Sequence, residues 1–477
     1  MKKIALLLAL CCFSFWVKAT DVQNEKNRVI ILTDVENEPD DAESLVRLML
    51  YTNEIDVRGL VATTSTHMKD RVAPETIHKI VTAYGKVRGN LLLHKEGYPT
   101  EEYLHSIIFT GPKSYGMAAL DEKQLSDGAE RIIKELQAND DRPLWVCAWG
   151  GPNTLAQALA QMKKTLSPKQ LDKCLSKLRV YTISDQDDTG NWIRKNFPTV
   201  FYIVSPGGYG NATWLGMNVG AKGADNEKVS NKWIAENIQQ GHGPLAACYP
   251  DVAYGMEGDT PSWLNLIPNG LNNPEHPNWG GWGGRYEYYK PNKADCDPNG
   301  FNGNVPVEDE THAIWTNAID TFRPIVPEES KEASSADTTR CRGYKETVWR
   351  WRTEVQNDFA ARIDWCVKPY NEANHAPVAK LDHPNTMTVK SGSTFFLSAE
   401  NCTDPDGDNL SYLWIYYPEA GTCKQPVKFT GSPIIHHAYF VAPKVTKKET
   451  LHFILKVTDK GTPALSSYQR VIVTVEP

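Results

Sequence analysis

Five acidic residues crowd into eight positions in the segment Thr33-Asp34-Val-Glu36-Asn37-Glu38-Pro39-Asp40-Asp41. Carboxylates this close repel one another unless they are solvated or share a cation. An all-oxygen ligand set selects a hard ion, Ca²⁺ or Mg²⁺, over zinc. Helix capping is the competing account, since Asp at a helix start is ordinary and contributes about 1 kcal/mol. Capping explains one Asp or two, not the whole group. The expected chemistry is therefore a cation holding a water beside a carboxylate able to take its proton.

The flanking pattern says what must position these groups. Arg28 to Thr33 reads as a buried strand, and Ala42 to Leu50 as a helix with Ala42, Leu45, Val46 and Met49 on one face. Strands are expected again at 58–63, 143–148, 178–183 and 200–204, with helices at 74–84 and 154–162 between them. This alternation predicts an α/β domain with a mostly parallel sheet and flanking helices. Ligands in such sheets bind beyond the carboxyl ends of the strands, where the acidic segment falls. Residues 241–304, rich in Gly, Pro, Asn, Trp and Tyr, are expected as long ordered loops, and 305–368 as helical. Beyond a linker at 369–377 the period switches to two. Residues 378–477 are expected to form an all-β, immunoglobulin-like sandwich, with strands at 386–390, 394–397, 410–416, 450–457 and 468–475. The turn Asp404-Pro-Asp406-Gly-Asp408 lacks the Gly and distant Glu of an EF-hand loop, so it reads as a tight acidic turn.

The 477 residues, 41% of them hydrophobic, suffice for two or three domains. A net charge of −7 with no basic block makes nucleic acid and anionic membranes poor partners. Met1-Lys2-Lys3, the apolar run Ile4 to Trp16 and Val17-Lys18-Ala19 have the layout of a secretory signal peptide over residues 1–19, which implies a periplasmic or secreted protein. No other stretch is apolar enough to span a bilayer. No cysteines form a CxxC pair, which argues against zinc and thioredoxin-like chemistry. In an oxidising compartment Cys402 and Cys423 are the expected disulfide, while Cys147 inside a strand is expected as a buried thiol. The sequence fixes no oligomeric state.

Strand, Thr33-Asp34, a short loop and Asp40-Asp41-Ala42 at a helix start resemble the opening of the nucleoside hydrolases, whose signature is Asp-Thr-Asp-Pro-Gly-x-Asp-Asp-Ala. Here Leu32 stands for the first Asp, and the loop is two residues longer. Gly151-Pro152-Asn153-Thr154 is similar to that family's Gly-Pro-x-Thr turn, and Asp259 falls where the family has a late carboxylate. Gly258 stands where nucleoside hydrolases usually carry a leaving-group His. Gly258-Asp-Thr-Pro-Ser262, Asn269-Gly-Leu271 and Gly280-Gly-Trp-Gly-Gly-Arg285 resemble a bacterial, exported nucleoside hydrolase-like branch often described as cellulose-binding, which also ends in a β-sandwich.

The resemblance implies Ca²⁺ held by Asp34, Asp41, Asp259 and the Thr154 carbonyl, with Asp40 as the base for its water. The oxocarbenium-like transition state would be stabilised by carboxylates. Glu257 and Asp188 are the candidates for the acid that protonates the departing oxygen. Glu36, with Glu38, could add to the negative field, or simply be solvated. His67 follows the second strand, where the family has a sugar-binding Asn; Asp188 and Asn191 follow the strand ending at 183. Trp282 and Arg285 lie in a Gly-rich aromatic loop that could stack on sugar rings or form a packed lid. Three functions remain open: an exported Ca²⁺-dependent glycoside hydrolase acting on carbohydrate, a non-catalytic carbohydrate-binding protein, and a nucleoside N-ribohydrolase disfavoured by Gly258.

Overall fold

Arg28–Thr33 (β1) is buried along its whole length, and its alternate side chains serve two cores. Val29 and Ile31 enter one apolar cluster, Ile30 and Leu32 the other, as the two-residue period of a strand requires. In the computed structural model, which describes residues 26–206, 209–218, 220, 226–292, 303–322 and 341–477, β1 lies inside an eight-stranded sheet. The others are Asp56–Ala62 (β2), Ile108–Thr110 (β3), Leu144–Ala148 (β4), Leu178–Thr182 (β5), Phe201–Val204 (β6), Tyr286–Tyr289 (β7) and Ile314–Asn317 (β8). Their order is β3-β2-β1-β4-β5-β6-β8-β7, and only β7 runs antiparallel to its neighbour. The expected signal peptide, residues 1–19, lies outside the described residues.

The helices between strands are Pro39–Tyr51 (α1), Pro74–His94 (α2), Glu101–Ser106 (α3), Asp127–Gln137 (α4), Asn153–Thr165 (α5), Pro168–Lys177 (α6) and Thr189–Asn196 (α7). α1 and α2 pack into the Val29/Ile31 cluster, α4 and α5 into the Ile30/Leu32 cluster. The sheet is therefore covered on both faces, the mostly parallel nucleoside hydrolase-like architecture. Because β1 pairs with β2 on one side and β4 on the other, the strand order reverses there. A crevice at the carboxyl ends of β1 and β4 is the default ligand site of such a sheet.

The expected helical stretch 305–368 divides. Residues 314–317 and 320–322 are strands, and the helix starts only at Glu346, running to Asp364. Val348, Trp351, Val355, Phe359 and Ile363 give that helix its buried stripe at spacings of three and four.

The C-terminal strands form two sheets, one joining 386–390, 466–476, 449–458 and 411–416, the other 394–398, 437–441 and 428–429. Phe395, Leu397 and Phe440 of the second sheet share one core with Trp414, Phe453, Leu455 and Val473 of the first, so the two form a sandwich. Cys402 and Cys423 are both free thiols, which corrects the expected disulfide. Cys402 is tied to the Lys380 backbone, while the Cys423 N–H donates to Thr450 O of the 449–458 strand.

The Gly-rich aromatic loop is where the sandwich meets the α/β domain, which corrects the roles expected for Trp282 and Arg285. Trp282 is buried, and its Nε1–H donates to Tyr468 Oη at 3.3 Å. Arg285 Nε donates to Asp320 at 2.6 Å, and Arg350 reaches the same carboxylate at 2.7 Å. Tyr417 Oη of the sandwich also donates to Asp320. The Arg285 and Arg350 guanidiniums hold Asp320 below the usual carboxylate range against its burial, which acts to raise it. Gly280 has φ +73°, and a Cβ there would meet Tyr417 Oη at 2.5 Å. Close domain contact, not a sugar, is what this glycine admits. Tyr417→Phe removes one bond to a buried charge, so it should cost about 2 kcal/mol. Chemical denaturation followed in both domains should show their transitions separating.

Candidate active site

Three carboxylates converge at the β1–β4 crevice. Oxygens of Asp40, Asp41 and Asp259 all lie within 4.8 Å of one another. Asp40 and Asp41 arrive on the first turn of α1, whose start is set by Pro39 and not by a side-chain cap from Glu38. Asp41 accepts a hydrogen bond from Thr33 Oγ1 at the end of β1, and Asp40 Oδ1 sits 3.2 Å from the Asp41 N–H. Capping thus occupies little of this group. Asp34 follows β1 directly, and Gly150, just after β4, packs on it; a Cβ there would meet Asp34 Oδ1 at 2.7 Å. The neighbouring Gly151 abuts Asp187, whose carboxylate accepts from Asn153 N–H at 3.1 Å and Thr189 N–H at 2.8 Å.

The group is electrostatically unbalanced. Burial, then the Glu38 and Asp34 charges, pushes Asp40 up to about 7. Burial chiefly lifts Asp34 to about 6, against an opposing hydrogen bond with Ser65. Burial, then the Asp34 and Asp40 charges, raises Asp41 well above its ordinary value, and burial with the Asp41, Asp40 and Asp34 charges does the same to Asp259. Asp34 Oδ2 and Asp259 Oδ2 are buried without a hydrogen-bond partner. Buried carboxylate oxygens without donors are costly unless a cation or a proton meets them. The residues present therefore fit a hard divalent ion.

The other expected site residues are distributed unevenly. Thr154 is the second residue of α5, with its hydroxyl 3.3 Å from Thr63 Oγ1. Glu36 lies at the exposed rim with φ +81°, paired to Arg71 at 2.6 Å and to Thr76. His67 Nε2 lies 2.9 Å from Tyr209 Oη. Asp188 accepts from Met117 N–H at 2.8 Å and anchors that loop. Asn191 is buried in α7 with Oδ1 unpartnered.

Glu257 is not available as an acid. Its carboxylate is held by Arg47 Nε and Nη2 at 2.5 and 2.8 Å, by Tyr249 Oη at 2.7 Å and by Thr260 Oγ1 at 2.8 Å. Four donors occupy this buried carboxylate and fix it in place, turned away from the aspartates. Nearby Glu43 accepts from the Glu257 N–H at 2.8 Å, and burial with the Glu257 charge pushes it up to about 9. This Arg47 cluster braces the loop that delivers Asp259.

Tyr209 and Trp214 escaped sequence reasoning. Tyr209 packs edge-on to Trp214 with ring centroids 5.6 Å apart. Burial, and then the charges of Asp34, Glu38 and Asp40, raises the Tyr209 hydroxyl, so it stays protonated beside the acidic group. Trp214 also fills the space before Asp259: a Cβ on Gly258 would meet its ring at 2.9 Å and Asp40 Oδ2 at 3.1 Å. A histidine does not fit there.

Residues 28–286 match the family model for the cellulose-binding Sde182 nucleoside hydrolase-like domain, and residues 394–475 match the C-terminal domain of cellulose-binding protein Sde0182. A solved protein from Saccharophagus degradans, described as nucleoside hydrolase-related and associated with carbohydrate metabolism, is 33% identical to this chain. The alignment covers 94% of this chain and all of that one, with a TM-score of 0.76. The type III effector XopQ, solved with adenosine diphosphate ribose, aligns over 72% of this chain and 95% of its own at 10% identity and a TM-score of 0.32. No curated protein matches the chain in sequence.

Proposed function

The chain belongs to the cellulose-binding Sde182 nucleoside hydrolase-like family, and on that premise we propose that it is an exported, Ca²⁺-dependent hydrolase of glycosidic bonds in glycan fragments. The convergence of Asp40, Asp41 and Asp259 at the β1–β4 crevice carries this reading. Asp34, Asp41 and Asp259 would hold the ion, with the Thr154 carbonyl as a further ligand. Bound there, Ca²⁺ supplies positive charge that acidifies a water and orients sugar hydroxyls.

Asp40, beside those ligands, would take a proton from water at this site. Glu38 and the ionised aspartates favour positive charge developing on the sugar. With Glu257 tied to Arg47, the Tyr209 hydroxyl, which feels the Asp34 and Asp40 charges, would donate the proton, with His67 at 2.9 Å to hold it in place. Tyr209→Phe is expected to lower kcat by about 10–100-fold with little change in KM, read by steady-state kinetics on the cleaved glycan. The filled space at Gly258 supports sugar–sugar bonds over nucleosides. The leader-like residues 1–19 support export.

A non-catalytic carbohydrate-binding role is favoured by one observation, the engagement of Glu257, which removes one of the two acids expected from the sequence. A hydrolysis screen on glycan fragments and nucleosides, run with Ca²⁺ and with chelator, separates the readings. Chelator-sensitive glycan cleavage is expected. Glycan binding without cleavage establishes the binding role, and nucleoside cleavage alone overturns both.

A further inference from the structure

The sandwich carries a second cluster of ligating side chains with a different chemistry. We propose that Glu400, His436 and His437 form a site for one divalent transition-metal ion of the Zn²⁺ or Cu²⁺ class. One ligating atom from each of the three lies within 4.8 Å of the others. Two imidazoles and one carboxylate are the donors that Zn²⁺ and Cu²⁺ prefer and Ca²⁺ does not. The site therefore differs in metal class from the all-carboxylate group in the α/β domain.

The backbone beneath these side chains is fixed from both directions. Ser398 pairs with His437 across the sheet, and the Ala399 N–H donates to His436 O at 2.9 Å. Asp382 accepts from Ser398 Oγ, Glu400 N–H and Asn401 Nδ2 at 2.7, 2.7 and 2.6 Å, which sets the turn that carries Glu400. On the other segment, the Trp414 indole donates to Ile435 O at 3.2 Å, and its N–H to Pro433 O at 2.8 Å. Tyr412 packs edge-on to the His436 ring at 6.0 Å, and Tyr439 to the His437 ring at 5.7 Å.

The side chains themselves remain reachable. His436 Nε2 stands 3.8 Å from Glu400 Oε1, with the two side chains 43% and 64% exposed. Small rotations about exposed χ angles bring such atoms to the roughly 3.3 Å separation that ligands about 2.0–2.1 Å from one ion require. One carboxylate and two neutral imidazoles leave a bound divalent ion with net positive charge. Three protein ligands also leave it at least one position open to water or an anionic ligand.

Calorimetric titration of the full chain with Zn²⁺, in buffer containing excess Ca²⁺, should show one site. His436→Ala and His437→Ala should each weaken it by about 10–100-fold. Glu400→Gln, at an exposed position, repeats the test without touching either ring and should also weaken binding. His105→Ala is the control. It breaks the His78–His105 contact of 2.8 Å, which forms no group of three among the described residues, and should leave binding unchanged. The electron paramagnetic resonance spectrum of the 1:1 Cu²⁺ complex should show coupling to two nitrogens. Absence of Zn²⁺ binding, binding that survives all three substitutions, or a Cu²⁺ spectrum without nitrogen coupling overturns the assignment.

Discussion

Asp40→Asn should lower turnover of the cleaved glycan by about 10³-fold, within the range seen when a general base is lost. It should weaken Ca²⁺ binding by no more than about tenfold, as expected of a neighbouring group and not a ligand. Asn keeps the shape of Asp, which matters because Oδ2 has only 3.1 Å to the position a Cβ would take on Gly258. Its carbonyl can still accept from the Asp41 N–H, so the first turn of α1 keeps its local bond. Only the capacity to take a proton is removed. Steady-state kinetics and Ca²⁺ calorimetry on the same preparation check the two halves separately. Unchanged kcat with intact Ca²⁺ affinity would exclude Asp40 as the base. A Ca²⁺ affinity that collapses together with kcat would instead make Asp40 a ligand.

The acidic group was legible in the sequence because charge repulsion is a local property. Five carboxylates in eight positions demand an explanation wherever the chain goes. The sheet was legible for a related reason: β1 and β4 are apolar runs bounded by polar turns, and such runs pair in parallel when helices separate them. Direction and partner were not legible. Glu257 sits two residues from Asp259, yet its positive φ of 46° belongs to a turn where its side chain meets Arg47 while Asp259 meets the aspartates. The aromatic rings and glycines around Trp282 and Arg285 suit sugar stacking or a packed lid, and the same composition suits a tight domain interface. Only the position of Tyr468, Tyr417 and Asp320, distant in sequence, decides between them. Tyr209 is one of 20 tyrosines with no motif around it; the fold of the chain after β6 brings it to the aspartates.

Ca²⁺ should stabilise the protein far more at about pH 7.5 than at about pH 4.5, and the sign follows from linkage. In the unfolded chain these aspartates titrate near 3.9. In the folded, ion-free protein Asp34 is raised to about 6 and Asp40 to about 7, with Asp41 and Asp259 also raised. The folded state then holds protons that the unfolded chain releases. That contribution is complete below about pH 4 and is lost as pH climbs through about 6 and 7, so the ion-free protein weakens over this window. A cation reverses the balance, because it binds only the deprotonated ligands and competes with protons at low pH. With Ca²⁺ at about 1,000 times its Kd, the added stability is about 4 kcal/mol, and it should fade as the aspartates protonate. Thermal melts with Ca²⁺ and with chelator at the two pH values read the difference. Asp41→Asn should remove most of it, since Asp41 is one of the three aspartates that would hold the ion. If the aspartates served only to cap α1, Ca²⁺ would shift the melt equally, or not at all, at both pH values. Capping therefore makes the opposite forecast from a shared ion, and the comparison of four melts decides between them.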